Sequence, residues 1–272
     1  MTEIFYFTGT GFTLHAADMI KSELGEGATL RPIVEFLATG QEGSSAETIG
    51  LVMPMHAFGL PDICRRFLKR AQFPKATYVF ALIVRGGAPS LIRGEIDGLL
   101  SRQGKHLHAF MYATTVNTFD IVSVFPVPPT VGVERARFES DILKFASAVR
   151  RQDQSIDLGY RNLVLENFLF PLIRAVARAT RYFNLEKDLY AEPSCIGCST
   201  CERLCPAGKI YLANGKPIWD PSIKCEHCLA CIHRCPVKAI QIRHTQSKTL
   251  ERLFCPEVSV EAIAAQKVSL PS

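Results

Sequence analysis

Eight of the ten cysteines in this 272-residue chain fall in two runs of one pattern, C-I-G-C-S-T-C-E-R-L-C-P at 195–206 and C-E-H-C-L-A-C-I-H-R-C-P at 225–236. Soft thiolate donors spaced C-x2-C-x2-C-x3-C-P suit a cubane iron–sulfur core. Three cysteines two residues apart let one tight loop wrap a cluster, and the fourth, followed by proline, reaches the other cluster. The spacing therefore predicts two [4Fe–4S] clusters with crossed ligation: Cys195, Cys198, Cys201 and Cys235 for the first, and Cys225, Cys228, Cys231 and Cys205 for the second. Zinc is the rival, because a C-x2-C pair accepts it, but the duplicated run is not an ordinary zinc spacing. Gly197, Ser199 and Ala230 are small enough to let backbone N–H groups approach the sulfurs. Cys64 and Cys255 fall outside the pattern; Cys64 shares a helical face with Phe67 and Leu68 and reads as a core filler.

The other chemistry-bearing stretch is T-G-T-G-F-T at 8–13. Glycines let the chain turn tightly, N–H groups converge where a helix begins, and threonine hydroxyls add donors, which together suit a phosphate. No lysine follows, so it is not a Walker loop, and its glycine spacing is not that of a G-x-G-x-x-G dinucleotide site. As a tight turn with a capping threonine it needs no ligand; its place after a first strand strengthens the phosphate reading.

The elements that must position these residues follow from the apolar pattern. Residues 4–7, 28–33, 49–54, 76–84 and 106–112 read as five strands of nearly continuous hydrophobic character. Residues 15–24, 61–69, 91–103 and 134–151 carry apolar side chains at helical spacing. Alternation of this kind argues a parallel sheet covered on both faces, a doubly wound α/β fold at 1–155. Residues 156–190 are helical, apolar and dotted with arginines, with a kink expected at Pro171. They read as a linker packing two domains together, with a membrane-surface helix as the other reading. The cysteine runs occupy a small domain at 191–245, and 246–272 reads as a partly loose tail.

Composition sets the bounds. The chain is 47% hydrophobic and 21% charged, ordinary for a folded soluble protein. Its formal charge of +5 counts every cysteine as neutral. Two oxidised clusters with their ligands would bring about −2 each, so the charge carries no argument for nucleic acid. Clustered cysteines in a chain this long argue metal ligation in a reducing, cytoplasmic setting rather than a secreted disulfide scaffold. No basic and apolar leader opens the sequence. The most apolar stretch, 163–179, is interrupted by Glu166, Pro171, Arg174 and Arg178, which argues against a membrane span.

Taken with these motifs, residues 191–245 resemble a bacterial two-cluster ferredoxin, and T-G-T-G-x-T after the first strand resembles the FMN phosphate loop of flavodoxins. M-P-M-H-A-F-G-L-P at 53–61 and R-G-G-A-P at 85–89 fit the same pattern. The whole chain resembles the EFR1 family of flavodoxin–ferredoxin fusion proteins. The resemblance implies a five-stranded flavodoxin-like sheet in the order 2-1-3-4-5, followed by the helical linker and the ferredoxin-like domain. It implies FMN with Thr8, Gly9, Thr10, Gly11, Phe12 and Thr13 around the phosphate. Met55, His56, Ala57, Phe58 and Gly59 would line one side of the ring, Gly86, Gly87 and Ala88 another, and Asn117 and Phe119 its edge. Two residues depart from the pattern: Phe12 stands where such loops usually carry asparagine, and His56 where an aromatic often meets the flavin. Arg85 either pairs with the flavin's pyrimidine edge or lies in solvent.

The function expected is electron relay between FMN and two [4Fe–4S] clusters, to or from a redox protein partner, with no catalytic acid, base or nucleophile. The alternative is an oxidoreductase that reduces its own small substrate, with His56 as proton donor. A third reading, a sensor in which the α/β domain has lost its flavin, predicts clusters without flavin. Donor, acceptor and oligomeric state are not encoded in any motif.

Overall fold

The structure, a computed structural model, describes residues 1–56, 59–86, 92–123, 135–154, 157–158, 172 and 182–267. Its larger part is a parallel sheet of β1 (Thr2–Tyr6), β2 (Ala28–Pro32), β3 (Thr48–Pro54), β4 (Tyr78–Arg85), β5 (Ala109–Thr114) and β6 (Asp157–Leu158), in the order 2-1-3-4-5-6. The first five form the expected flavodoxin-like sheet. The sixth is a two-residue addition that pairs with Phe110 and Met111 at the edge.

Side chains alternate between the two faces, and each face carries its own apolar core. Phe5, Phe7, Leu51, Met53, Ala81 and Ile83 pack against α2 (Ile33–Ala38), α3 (Asp62–Arg70) and α4 (Ile92–Leu100). Ile4, Tyr6, Val52, Phe80, Leu82 and Val84 pack against α1 (Phe12–Leu24) and α5 (Arg135–Arg150). Burial on both sides is why these strands read as continuous hydrophobic runs. Helix α2 was not expected: its six residues, I-V-E-F-L-A, are too few to show a period and begin straight after Pro32. Cys64 is fully buried on α3 beside Phe67 and Leu68, as a core filler should be.

The smaller part is pseudo-symmetric. Strands β7 (Leu189–Ala191) and β10 (Ile240–Ile242) pair antiparallel, as do β8 (Ile210–Ala213) and β9 (Lys216–Trp219). Each cysteine run turns through two left-handed residues, Gly197 (φ 67°) and Ser199 (φ 58°) in the first, His227 (φ 51°) and Leu229 (φ 58°) in the second. A short helix follows in each, Thr200–Leu204 and Ala230–His233. These turns aim N–H groups at sulfur: His227 donates to Cys225 Sγ at 3.3 Å. Just after the second run, Ala239 donates to Cys235 Sγ at 3.2 Å.

The two parts share a core, since Leu204, Ala230, Val258 and Ile263 join the apolar cluster under α1 and α5. The tail is not loose through residue 267, which corrects the expectation for that segment. The Gln266 amide pairs with both backbone groups of Thr8, accepting its N–H at 2.8 Å and donating to its carbonyl at 3.0 Å. Around it, His15 meets Glu139, Cys255 S–H donates to Glu257, and Arg135 pairs with both carboxylates, tying the tail to α1 and α5. Most of the 156–190 segment, including Pro171, lies outside the described residues.

Candidate functional site

In an open α/β sheet, ligands bind outside the carboxyl ends of the strands, where the strand order reverses. Here the reversal lies between β1 and β3, and the loops after β1, β3, β4 and β5 enclose a cavity. Gly9, Thr10, Phe12, Thr13, Met55, His56, Gly86, Asn117 and Phe119 line it together, as expected from the sequence. Thr8, Gly11 and Gly59 shape these loops from behind. Ala57, Phe58, Gly87 and Ala88 lie outside the described residues.

The loop after β1 is built as an anion cradle. Gly11, at φ 104°, takes a left-handed turn that a side chain would strain, and α1 starts immediately after it. Thr8 Oγ1 accepts the Gly11 N–H at 3.1 Å, which closes the turn. No side chain caps α1. Its first N–H groups and the positive end of its dipole therefore face the cavity, which fits a phosphate. Phe12, at the cavity wall, also meets Phe138 of α5 edge-on, with ring centroids 6.4 Å apart. The departure from asparagine is thus a packing residue that locks α1 to α5.

The walls are held as firmly. His56 and Gly59 exchange two backbone hydrogen bonds, each 3.0 Å, which fixes the loop after β3. The His56 ring sits between Phe7 and Phe119, at 6.2 and 5.6 Å. Burial, with His227 nearby, pushes its pKa down to about 3, so the ring is a neutral aromatic surface at ordinary pH. Arg85 lies over the Tyr112 ring at 4.1 Å, at the cavity and not in open solvent. Gly86 has to be small: a Cβ there would sit 2.7 Å from Asn117. Asn117 is occupied with its own turn, accepting the Phe119 N–H at 3.2 Å and donating to Asp120.

The cysteine thiols gather in two groups. Cys201 is raised to about 11, by burial first and with Cys198 and Cys235 adding to it. Cys225 is raised to about 12 by burial, with Cys205 adding to it. Cys228 and Cys231 are raised by burial and then by their neighbours Cys225 and Cys205. Cys195 opens the first loop, its carbonyl held by Lys216 Nζ at 2.7 Å. Crowding and burial oppose ionisation of the Cys201, Cys225, Cys228 and Cys231 sulfurs as free thiolates; a cationic core would compensate their charge. The donor set fits iron–sulfur clusters, and the cradle fits a phosphate-bearing flavin.

One lining residue was not foreseen. Cys228, from the second cysteine run, forms part of the cavity wall. Its carbonyl oxygen lies 2.2 Å from where a Cβ on Gly9 would stand, so the glycine loop and the cysteine loop touch backbone to backbone. Glycine at position 9 was visible in the sequence as a phosphate-loop residue, but the second reason for it was not. Cys198, in the first run, is by contrast exposed.

Residues 194–240 match the 4Fe-4S dicluster domain family. Over 59 residues the chain is 46% identical to one subunit of the ion-translocating oxidoreductase complex of Methanosarcina acetivorans, a match covering 21% of this chain and 22% of that protein. The chain thus spans about a fifth of the length of that curated relative. Among solved structures, the two-electron reduced flavodoxin of Megasphaera elsdenii aligns with 56% of this chain and 99% of its own, at 17% identity and a TM-score of 0.35. The Trp repressor binding protein of Bacillus subtilis aligns with 55% of this chain and 96% of its own, at 11% identity and a TM-score of 0.38. The sheet order and the family match together describe a flavodoxin-like domain joined to a 4Fe–4S ferredoxin-like region. No described helix is long and apolar enough to cross a membrane.

Proposed function

We propose that this chain is an electron-transfer protein that carries FMN in the cavity and two [4Fe–4S] clusters in the cysteine runs, as a member of the flavodoxin–ferredoxin fusion family. The observation that carries the reading is the position of Cys228, at once a residue of the second cysteine run and a wall of the cavity. Flavin takes electrons singly or in pairs while each cluster carries one, so a flavin beside a cluster is a junction between the two kinds of transfer. The residue groupings support crossed ligation, with Cys205 serving the second cluster and Cys235 the first. On this reading the centres run from the cavity to the second cluster, then the first, then a redox partner at the exposed Cys198 edge.

The chain's own residues do the positioning. The uncapped α1 terminus and Thr10 and Thr13 would hold the phosphate, while His56, Met55 and Phe119 would flank the ring. Peptide N–H groups donate to Cys225 and Cys235, which would ease reduction of clusters held there. The alternative, turnover of a small substrate with His56 as acid, is disfavoured because burial keeps that ring from taking a second proton. The flavin-free sensor is disfavoured by the intact cradle. On this reading the domains run 1–155, 156–190, 191–245 and 246–272, except that β6 (157–158) belongs to the first sheet and β7 (189–191) to the cysteine-bearing part; the need for reduced cysteines favours a cytoplasmic site.

Anaerobic purification followed by iron and flavin assay is the direct test. About eight iron atoms per chain are expected from two four-iron clusters, with FMN bound, and photoreduced flavin should pass electrons to the clusters within one molecule. Iron without FMN affinity, or flavin and clusters that never exchange electrons, would overturn the reading.

A further inference from the structure

The residues between the cysteines of the second run reach out to the cavity, and each reaches a different wall. Glu226, in C-E-H-C, has a side chain only 2% exposed. It accepts the Ile63 N–H at the start of α3 at 3.0 Å and pairs with Arg66 at 2.7 Å. The loop after β3 is thereby held where it enters α3. His233, in C-I-H-R-C, lies with Nε2 2.9 Å from the Thr118 carbonyl and accepts the Leu253 N–H on Nδ1 at 3.1 Å. That pairing sets the tautomer, with the proton on Nε2, and holds the wall after β5. Arg234 donates through Nη2 to the carbonyls of Thr10, Cys255 and Val258, at 3.2, 2.9 and 2.7 Å. It braces the glycine loop from behind.

The equivalent positions of the first run do none of this. Ile196 stands where Glu226 does and is 64% exposed. Arg203 stands where His233 does and pairs with Glu261 at 3.5 Å. Leu204 stands where Arg234 does and is buried in the apolar core. The two runs share cysteine spacing but not this function, so the contacts are not a requirement of holding a cluster.

From this asymmetry we infer that Glu226, His233 and Arg234 are positioning residues for the flavin, and that the flavin site is completed only when the second cysteine run is folded around its cluster. The inference rests on the proposed flavin and cluster content. Three of the four loops that enclose the cavity, those after β1, β3 and β5, are each held by one residue of the run. Removing the cluster loosens all three at once. Because coupling between two binding events is reciprocal, bound FMN must equally favour assembly of the second cluster.

The test is an anaerobic FMN titration of the full-length chain, read by quenching of flavin fluorescence, with iron per chain measured alongside. Cluster-loaded wild type, cluster-stripped wild type, Glu226→Ala, Arg234→Met and the first-run counterpart Arg203→Met are compared well below their melting temperatures. Stripping, Glu226→Ala and Arg234→Met should each raise the FMN Kd at least tenfold, while Arg203→Met leaves it within twofold of wild type. Glu226→Gln, which keeps an acceptor for the Ile63 N–H, should restore part of the affinity. Should Glu226→Ala lose iron, Arg66→Met removes the same ion pair without touching the cysteine loop and should still weaken FMN. An unchanged Kd in the stripped chain and in the iron-replete variants overturns the coupling while leaving the flavin reading intact. No FMN binding by the loaded wild type overturns that reading and the inference with it.

Discussion

Substituting Gly9 by alanine adds one methyl group at the point where the glycine loop meets the second cysteine run. That Cβ would stand 2.2 Å from the Cys228 carbonyl oxygen, 2.9 Å from its Cβ and 3.0 Å from its carbonyl carbon. Carbon contacts settle near 3.5 Å, so the two backbones must separate by about 1 Å. Neither side yields easily. Thr8 is clamped on both backbone groups by Gln266, and the Thr10 carbonyl accepts from Cys255 N–H at 3.0 Å and from Arg234. Forcing an extra methyl into well-packed structure costs about 1–3 kcal/mol, and the fixed neighbours place this one in the upper half of that range. The assay is anaerobic chemical denaturation of the cluster-loaded chain, followed by its FMN titration. Gly27→Ala serves as control, since nothing lies within 4 Å of its Cβ position. The expected result is a loss of about 2–3 kcal/mol for Gly9→Ala, with weaker FMN binding and slower electron exchange between flavin and clusters, against no loss for the control. If Gly9→Ala is as stable as Gly27→Ala and binds FMN equally well, the two loops do not meet as described, and the placement of Cys228 in the cavity wall falls with them.

Gln266→Ala leaves both backbone groups of Thr8 buried without partners and should cost about 2–4 kcal/mol, seen as a lower urea midpoint; a change below about 0.5 kcal/mol would mean the tail does not dock. Gly94→Ala and Gly98→Ala, on α4 with nothing within 4 Å of either Cβ position, should each stabilise by about 0.5–1 kcal/mol, and a loss in thermal melting would contradict the helix. His108 accepts the Val79 N–H on Nδ1 at 3.0 Å, and burial lowers its pKa below 6.5. The unfolded chain therefore binds a proton that the folded chain refuses, so this stability is full above pH 6.5 and is lost as pH falls below it. The melting temperature of His108→Asn should accordingly drop less than that of wild type between neutral and mildly acidic pH; parallel curves would exclude the contribution.

Much of this arrangement is legible in the chain because it depends on local pattern. Parallel strands buried on both faces announce themselves as apolar runs, and β3 and β5 fall within a residue or a few of where the sequence places them. Loops at the carboxyl ends of such strands are natural ligand loops, so Gly9 and Thr10 stand out from the residues themselves, while His56 and Gly86 are placed there by the resemblance to flavodoxins. What could not be read is what depends on distance. Thr8 and Gln266 are 258 residues apart, and only the fold brings them together. Within S-V-E-A-I-A-A-Q, just Ile263 and Gln266 are deeply buried, too few for a period to show. Strand β6 has no pattern of its own and exists because β5 offers an edge.

The departures at Phe12 and His56 show a second limit. Judged against a flavodoxin loop they look like missing ligand contacts, yet in the structure Phe12 is spent on Phe138 and His56 is wedged between Phe7 and Phe119. A flavodoxin-like domain that carries a second module on its ligand face has more to satisfy than its ligand. The same reasoning separates the two cysteine runs. Their spacing is identical, so spacing alone leaves open which cluster adjoins the flavin. The residues between the cysteines do carry the distinction: Glu, His and Arg in the second run answer N–H and carbonyl groups of the cavity loops, where Ile, Arg and Leu stand in the first. Charged and hydrogen-bonding side chains enclosed next to cluster ligands are costly unless partners meet them. Such side chains are enclosed in the second run, whereas Arg203 of the first is exposed; the contrast marks the side that faces the larger domain and shows only in the fold.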